Sequence, residues 1–393
     1  KVNSRLQQQE MGFTSKFPRW AMSYKFETER AESKLLSISY QVGRTGAVTP
    51  VANLEPMQLL GTTVKRASLH NADFIADLDI RVGDRVFVEK GGEIIPKIVE
   101  VDASNREDGS QPTQFTATCP ECETILERPE GDAVFRCPNT QSCPPQVKGR
   151  IEHFIGRKAM DVDSLGEGKI DVLYQSGLVH RAADLYSLDA EQLLGLSKSI
   201  TNEDTGDERI VSFKEKTVEN ILKGIDASKS VPFERVLFGL GIRFVGETVA
   251  KKLAFHFKNI DAVMAADFET LNAVSEIGAV IAKSVIGYFS IPENREEIEQ
   301  MKAAGLQFEV IEKELASNAL DGAKIVVSGV FTLFSRNELK KLIEDNGGKN
   351  VSSISKSTDF IVAGDSMGPA KKEKAEKLGV KMISEEEFAE MLT

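Results

Sequence analysis

The sequence is poor in cysteine, tryptophan and long apolar runs. Its 393 residues hold one tryptophan and four cysteines. No stretch of about eighteen consecutive apolar residues occurs, which excludes a membrane-spanning helix. No charged-then-apolar leader occupies the first thirty residues, so export is not expected. Basic residues are outnumbered, with 49 Lys and Arg against 60 Asp and Glu and a net charge of −11. Taken alone, that deficit argues against a nucleic-acid partner, because phosphates attract Lys and Arg. Net charge averages over domains, however, and binding uses local faces. Residues 1–30 carry Lys1, Arg5, Lys16, Arg19, Lys25 and Arg30 against only Glu10, Glu27 and Glu29. Apolar residues at 41% and charged residues at 28% describe an ordinary soluble mixture, neither disordered nor fibrous. The length predicts roughly two to four domains. The first residue is Lys1, not Met, and it opens into patterned sequence, so the chain is expected to begin inside a longer protein.

The few cysteines are gathered together. Cys119, Cys122, Cys137 and Cys143 follow the spacing C-x2-C-x14-C-x5-C. A disulfide scaffold would be short and secreted. Two close pairs separated by a loop suit tetrahedral thiolate coordination of zinc, each pair giving two corners. Four protein ligands leave no open position for water, so the site is expected to be structural. The alternative is four reduced cysteines or a redox pair.

Residues 35–103 read as β-structure. Apolar runs at 34–42, 62–69 and 84–90 are bounded by turn signals at Gly43, Gly46, Gly61, Gly83, Gly91 and Gly92. About five strands in some seventy residues suggest a small closed barrel of the oligonucleotide-binding kind. Pattern alone leaves other small barrels and sandwiches open.

Residues 151–305 read as short helices containing a repeat. Gly168 in Leu165-Gly166-Glu167-Gly168-Lys169, Gly246 and Gly278 each precede an amphipathic helix. Gly246 and Gly278 are 32 residues apart, and Lys214 lies 32 residues before Gly246 in similar surroundings without the glycine. The polar stretch 197–208 lengthens the gap back to Gly168 and reads as a surface loop. Four units result, one of them degenerate. A glycine turn at a helix start leaves backbone N–H groups pointing outward, where the helix dipole adds partial positive charge. Such hairpins grip a phosphate backbone without reading sequence and without many basic side chains. The alternative is that glycines simply end or join helices.

Residues 317–393 alternate strand and helix. Strands are expected at 324–329, 359–363 and 380–383, and helices at 336–346, 371–378 and 385–392. Gly347 and Gly348 close the first helix. The pattern predicts a small parallel α/β domain, with 306–316 as a linker.

Barrel, four-cysteine site, helical hairpins and α/β module, in that order, resemble the C-terminal two thirds of bacterial NAD-dependent DNA ligases. The specific strings are Lys1-Val-Asn-Ser4, Pro18-Arg-Trp-Ala21, Tyr24-Lys-Phe26, Gln41-Val-Gly-Arg-Thr-Gly46, Leu69-His-Asn71 and Ala159-Met-Asp-Val-Asp163. Ser328-Gly329, Gly347-Gly348, Ser355-Lys-Ser-Thr-Asp359 and Val362-Ala-Gly364 resemble a BRCT module. The resemblance implies a multidomain α+β chain. The end of a nucleotidyltransferase (adenylation) domain would take 1–30, an OB-fold β-barrel 31–110 and a four-cysteine zinc finger 111–150. A helix-hairpin-helix domain would take 151–305, followed by the linker and the BRCT domain.

The family closes nicks in DNA replication and repair. A lysine is adenylated from NAD, AMP passes to the 5′-phosphate, and the 3′-hydroxyl displaces it. Each step is a displacement at phosphorus, so positioning and charge neutralisation dominate. The resemblance places Lys1 and Lys25 against the AMP phosphate and implies NAD, structural Zn2+ and Mg2+ or Mn2+. It implies a cytoplasmic, nucleoid-associated monomer on nicked duplex DNA. Gly43, Arg44, Thr45 and Gly46 are the expected barrel contact, with Arg44 on a phosphate. Gly166, Gly168, Gly246 and Gly278 are the expected hairpin contacts. Trp20 is expected to pack against the adenylation fold. Ser328, Gly329 and Lys371 or Lys372 are candidates for an anion pocket, and Phe388 for the packing role of the tryptophan this module often carries. The family's nucleophile string, Lys-x-Asp-Gly, does not occur in the 393 residues, so self-adenylation is not expected of them alone. Two further readings compete: a DNA-binding scaffold without chemistry, and a repair-nuclease subunit. The second lacks a recognisable Asp/Glu cluster for two metals.

Overall fold

A computed structural model describes all residues except 14–16, 25–27, 93, 202–207, 312–316, 318, 352, 356, 366 and 393. The chain divides into two compact units, Lys1–Val310 and Ile311–Thr393. No helix among the described residues is long and apolar enough to cross a membrane.

The first unit begins with a helix over Arg5–Met11, capped by Ser4. The Val2 N–H donates to the Trp20 carbonyl at 2.8 Å. Trp20 meets Phe13 edge-on, with ring centroids 5.9 Å apart. Its buried indole N–H has no acceptor among the described residues. Five strands then close into a barrel: β1 (Arg30–Val42), β2 (Val48–Leu59), β3 (Thr62–Ser68), β4 (Arg85–Gly91) and β5 (Ile95–Asp102). Their order around the barrel is β1-β2-β3-β5-β4. Strand β1 is long enough to serve two neighbours. Its first part pairs with β4 and its second with β2, with an irregularity between Leu35 and Ser37 where it bends. The inward positions Leu35, Ala52, Leu54, Val86, Val88 and Ile98 fill the interior. Alternation along each strand thus produces one apolar face, as a closed barrel requires.

The helical part follows from a helix over Pro144–Ile155. Its hairpin helices are Glu167–Gln175, Glu215–Ser228, Glu247–Phe257 and Ala279–Phe289. Their N-caps are Gly166, Lys214, Gly246 and Gly278. The repeat is therefore real, but Gly168 does not start its helix. It sits inside the first turn, and Gly166 holds the position equivalent to Gly246. Two glycines one residue apart cannot be ranked by composition. The anchor is Leu165, which, like Phe213, Val245 and Ile277, is buried immediately before the cap.

Two other expectations change. The stretch expected as a surface loop contains β6 (Ser197–Thr201), paired antiparallel with β7 (Glu208–Ser212). Its polar alternation hid the strands. Residues 306–310, expected within the linker, pack onto the helical core. Leu306 and Phe308 are buried, and the Ile260 N–H donates to the Phe308 carbonyl at 2.9 Å. Residues 312–316 of that stretch lie outside the described residues.

The second unit is a four-stranded parallel sheet of β8 (Lys324–Ser328), β9 (Lys349–Asn350), β10 (Phe360–Ala363) and β11 (Lys381–Ile383), in the order β11-β10-β8-β9. The two-residue β9 was not anticipated, being too short to carry a pattern. Alternation separates two faces. Ile325, Val327 and Val362 pack with Leu339, Ile343 and Phe388. Val326 and Ile361 pack with Ala375 and Val380. Helices Arg336–Asp345 and Glu385–Glu390 each begin with a capping box, Ser335 with Glu338 and Ser384 with Glu387.

Candidate metal centre and nucleic-acid interface

The four cysteines converge. All four Sγ atoms lie within 4.8 Å of one another, with Cys122–Cys137 at 3.5 Å and Cys119–Cys143 at 3.8 Å. Zinc–sulfur bonds of about 2.3 Å in a tetrahedron put sulfur atoms about 3.8 Å apart, so the donor set fits zinc. Local backbone creates the geometry. The Cys119 N–H donates to the Thr124 carbonyl at 2.8 Å, and the Glu123 N–H to the Cys119 carbonyl at 2.9 Å. Glu123 takes a φ of 59°, which turns the knuckle. Cys143 is the N-cap of the helix Pro144–Ile155, where Pro144 accepts the fixed φ of a first helical residue. Burial pushes the Cys137 thiol up to about 11 and the Cys143 thiol upward as well. Cys122 goes the other way: burial raises its thiol, but hydrogen bonds with Thr124 and the neighbouring thiols bring it down to about 6.

The barrel turn is bound to this centre. The Gly46 carbonyl accepts from the Cys137 N–H at 2.9 Å, and the Val48 N–H donates to the Phe135 carbonyl at 2.9 Å. Gly46 has a φ of 74°, and a Cβ there would lie 2.6 Å from the Cys137 carbonyl oxygen. Its glycine therefore serves an approach within the protein, an alternative to the approach to DNA expected from sequence. Gln146, almost fully buried, donates to the carbonyls of Cys137 at 3.1 Å and Asn139 at 3.2 Å. Sequence reasoning missed Gln146, since a lone glutamine carries no pattern.

Arg44 projects from that turn, exposed and without an ion pair among the described residues. Asp132 ties the finger to the helical part. Its carboxylate accepts from Arg136 at 3.2 Å and from Arg243 at 3.1 Å. Arg128 reaches Asp73 beside the barrel through two contacts of 2.9 and 2.5 Å. Neither aspartate is marked by any motif.

The hairpin tips share one design. Ser164, Phe244 and Glu276, each two residues before the cap, have φ of 62°, 66° and 68°. The caps themselves are extended, with φ of −141° at Gly166, −81° at Gly246 and −85° at Gly278. A Cβ at any of the three would have nothing within 4 Å. Neither backbone conformation nor internal packing requires glycine at these caps. At Lys214 the buried Phe213 persists, but strand β7 replaces the left-handed residue.

Of the remaining candidates, Lys1 is exposed and Lys25 lies outside the described residues. Ser328 is buried. Lys372 lines a depression with Asp365 and Ser384 that includes neither Ser328 nor Lys371. Gly329 instead meets Gly364, where a Cβ would lie 2.5 Å from the Gly364 carbonyl oxygen.

A closed barrel, a four-thiolate centre that fits zinc and a set of helical hairpins define a multidomain class of protein with a structural metal site. Family profiles place it further. Residues 32–110 match the NAD-dependent DNA ligase OB-fold domain, 118–144 its C4 zinc finger domain and 1–29 its adenylation domain. Residues 235–298 match the helix-hairpin-helix motif and 316–392 the BRCA1 C Terminus (BRCT) domain. A DNA ligase of Flavobacterium johnsoniae is 57% identical over 390 residues, 99% of this chain and 56% of its own length. Those of Christiangramia forsetii and Bacteroides fragilis are each 55% identical over the whole chain and 57% of theirs. The chain belongs to the NAD-dependent DNA ligase family. It spans somewhat over half the length of these relatives.

Proposed function

We propose that the chain is the DNA-holding body of an NAD-dependent ligase that joins a 3′-hydroxyl to a 5′-phosphate at a nick in duplex DNA. The observation that supports this most is the set of three glycine caps with open space at Cβ and ordinary φ. Amides at Gly166, Gly246 and Gly278 would donate to phosphate oxygens, and only a missing side chain lets a backbone come so close. Gly168, inside the helix, would support the first hairpin without touching DNA. Arg44 would pair with a phosphate beside the nick, with Gly43, Thr45 and Gly46 shaping its turn. Zinc bound by Cys119, Cys122, Cys137 and Cys143 would hold the Arg44 turn at a set distance from the hairpins.

Lys1 and Lys25 would contact the AMP phosphate of the NAD-derived adenylate. Mg2+ or Mn2+ would neutralise charge on the reacting phosphates. The division into 1–30, 31–110, 111–150, 151–305 and 317–393 follows the same assignment, as do a monomeric state and a cytoplasmic, nucleoid-associated location.

The test is anisotropy with a nicked duplex over a salt series, beside incubation with labelled NAD. We expect saturable, salt-dependent binding, weakened by Arg44→Ala, and no covalent adenylate on these 393 residues. Indifference to nicked DNA at low salt would sink the assignment. A stable labelled adenylate would overturn the role given to the missing nucleophile string.

A further inference from the structure

The turn that leads into the helix Glu247–Phe257 carries an aromatic ring where the backbone disfavours one. The Val245 N–H donates to the Ile242 carbonyl at 3.0 Å, closing a tight turn over residues 242–245. Ile242 and Val245 are buried, while Arg243 and Phe244 are exposed. Phe244 stands at the third position of that turn with a φ of 66°. This left-handed conformation suits glycine or asparagine and strains a bulky side chain. Ser164 and Glu276, the equivalent residues of two other hairpins, have φ of 62° and 68° and no ring. Phe244 is 51% exposed, so burial offsets little of the strain. The ring is nevertheless fixed. The Arg243 guanidinium lies over it, 4.6 Å from the centroid. Arg243 is itself held twice. Its guanidinium donates to Asp132 of the zinc finger at 3.1 Å, and its carbonyl accepts from the Ser284 hydroxyl of the next hairpin helix at 2.6 Å. The segment also abuts the barrel turn, since a Cβ at Gly241 would lie 3.4 Å from Arg44 Nη1. Backbone strain that folding does not repay is a mark of functional positions.

We propose that Phe244 is an apolar contact to duplex DNA, its ring against the deoxyribose and base edges beside the phosphate met by the Gly246 amide. Asp132 is the positioning residue that holds Arg243, and through it the ring. The proposal rests on the reading of the Gly246 cap as a phosphate contact. Phe244 and Gly246 are two residues apart, at most about 7 Å of chain, so the ring reaches the nucleotides that flank such a phosphate. Phosphate contacts fix register, and apolar side chains beside them lean on sugars or between base steps. A protein partner fits less well. Arg243, Glu247 and Thr248 around the ring are exposed and polar, and a stable protein interface buries about 1,200–2,000 Å2. One ring among polar neighbours suits a single nucleotide.

Anisotropy of the whole zinc-loaded chain on a nicked duplex, across a salt series, tests this. Phe244→Ser introduces the residue type that Ser164 carries at the same φ, so melting temperature and zinc content should be preserved. Affinity should fall about five- to tenfold, as for a lost base–aromatic contact. The slope of log K against log salt should not change, because an apolar contact releases no counter-ion. Phe244→Tyr should restore most of the affinity. Asp132→Ala should weaken binding in the parent chain but add nothing to Phe244→Ser, and additive losses would remove Asp132 from the positioning role. A parent chain that ignores nicked duplex would overturn the DNA-holding reading and this proposal together. A parent that binds no better than Phe244→Ser would overturn this proposal alone, as would a loss of affinity with a shallower salt slope. Should Phe244→Ser melt early or lose zinc, Phe244→Trp decides. Its emission should change on adding duplex by more than the parent's Trp20 signal does, and an equal response would overturn the contact.

Discussion

The Cβ of Arg44 lies where a Cβ at Gly149 would be only 2.6 Å away. Gly149 occupies the middle of the helix Pro144–Ile155 that starts at the zinc ligand Cys143. The barrel turn that carries Arg44 is thus seated directly on the helix that zinc anchors. Arg44 is held in place by the metal finger as much as by its own strands.

Gly149→Ala should therefore displace the turn. Alanine favours the helix by up to about 1 kcal/mol, but forced overpacking costs about 1–3 kcal/mol. A lower melting temperature together with weaker nicked-DNA binding is expected. A variant that melts higher and binds normally would contradict the seating.

Gly246→Ala and Gly278→Ala behave oppositely. With open space at each Cβ and permissive φ, folding stability should change by less than about 1 kcal/mol. DNA affinity should fall several-fold in each. Denaturant melts and anisotropy on the same samples separate the two effects. Lost stability with intact affinity would return these glycines to an architectural role.

Cys143→Ser should abolish stoichiometric zinc, because three thiolates no longer complete the tetrahedron. It should also loosen the Arg44 turn, since Cys143 caps the helix beneath it. Metal analysis and limited proteolysis between residues 111 and 150 measure both. Retained zinc at one per chain would show that Cys143 is not a ligand.

Asp79 ties the barrel to pH. Hydrogen bonds from Arg81 at 2.7 Å and Arg106 at 2.6 Å hold its carboxyl down at about 2, below the ordinary 3.8. A depressed carboxylate contributes stability above its unfolded pKa and loses it as pH falls through the folded value. Stability should decline from about pH 4 to pH 2, and Asp79→Asn should flatten that part of the profile. An unchanged slope in the variant would remove Asp79 from the acid response. The neighbouring Asp84 is buried and takes two bonds of 2.9 Å from Arg106. Asp84→Ala should be more damaging than Asp79→Asn, because Arg106 loses both of these bonds and keeps only its contacts with Asp79.

Order of modules, the four zinc ligands and the hairpin period were legible because each is written in local spacing. Cys119 and Cys122 are neighbours in sequence as well as in space, and the caps Lys214, Gly246 and Gly278 follow one another at intervals of 32 residues. Three of the four strands of the second unit, β8, β10 and β11, were readable to within a residue or two from their apolar runs. What failed was local as well. Gly166 and Gly168 are indistinguishable by type, and the alternation of β6 and β7 is too polar to read as a sheet.

By itself the sequence determined which chemistry is present: thiolates in two pairs, glycines at helix starts and an arginine in a glycine-bracketed turn. Only tertiary structure decided what those glycines are for, because that depends on what lies within a few ångströms. Gly46 and Gly149 make room for the protein's own backbone and side chains, whereas a Cβ at Gly246 or Gly278 would meet nothing within 4 Å. The same holds for Asp132, whose partners arise from segments up to 111 residues apart. Charge pairing over such separations follows packing, and no local pattern encodes it.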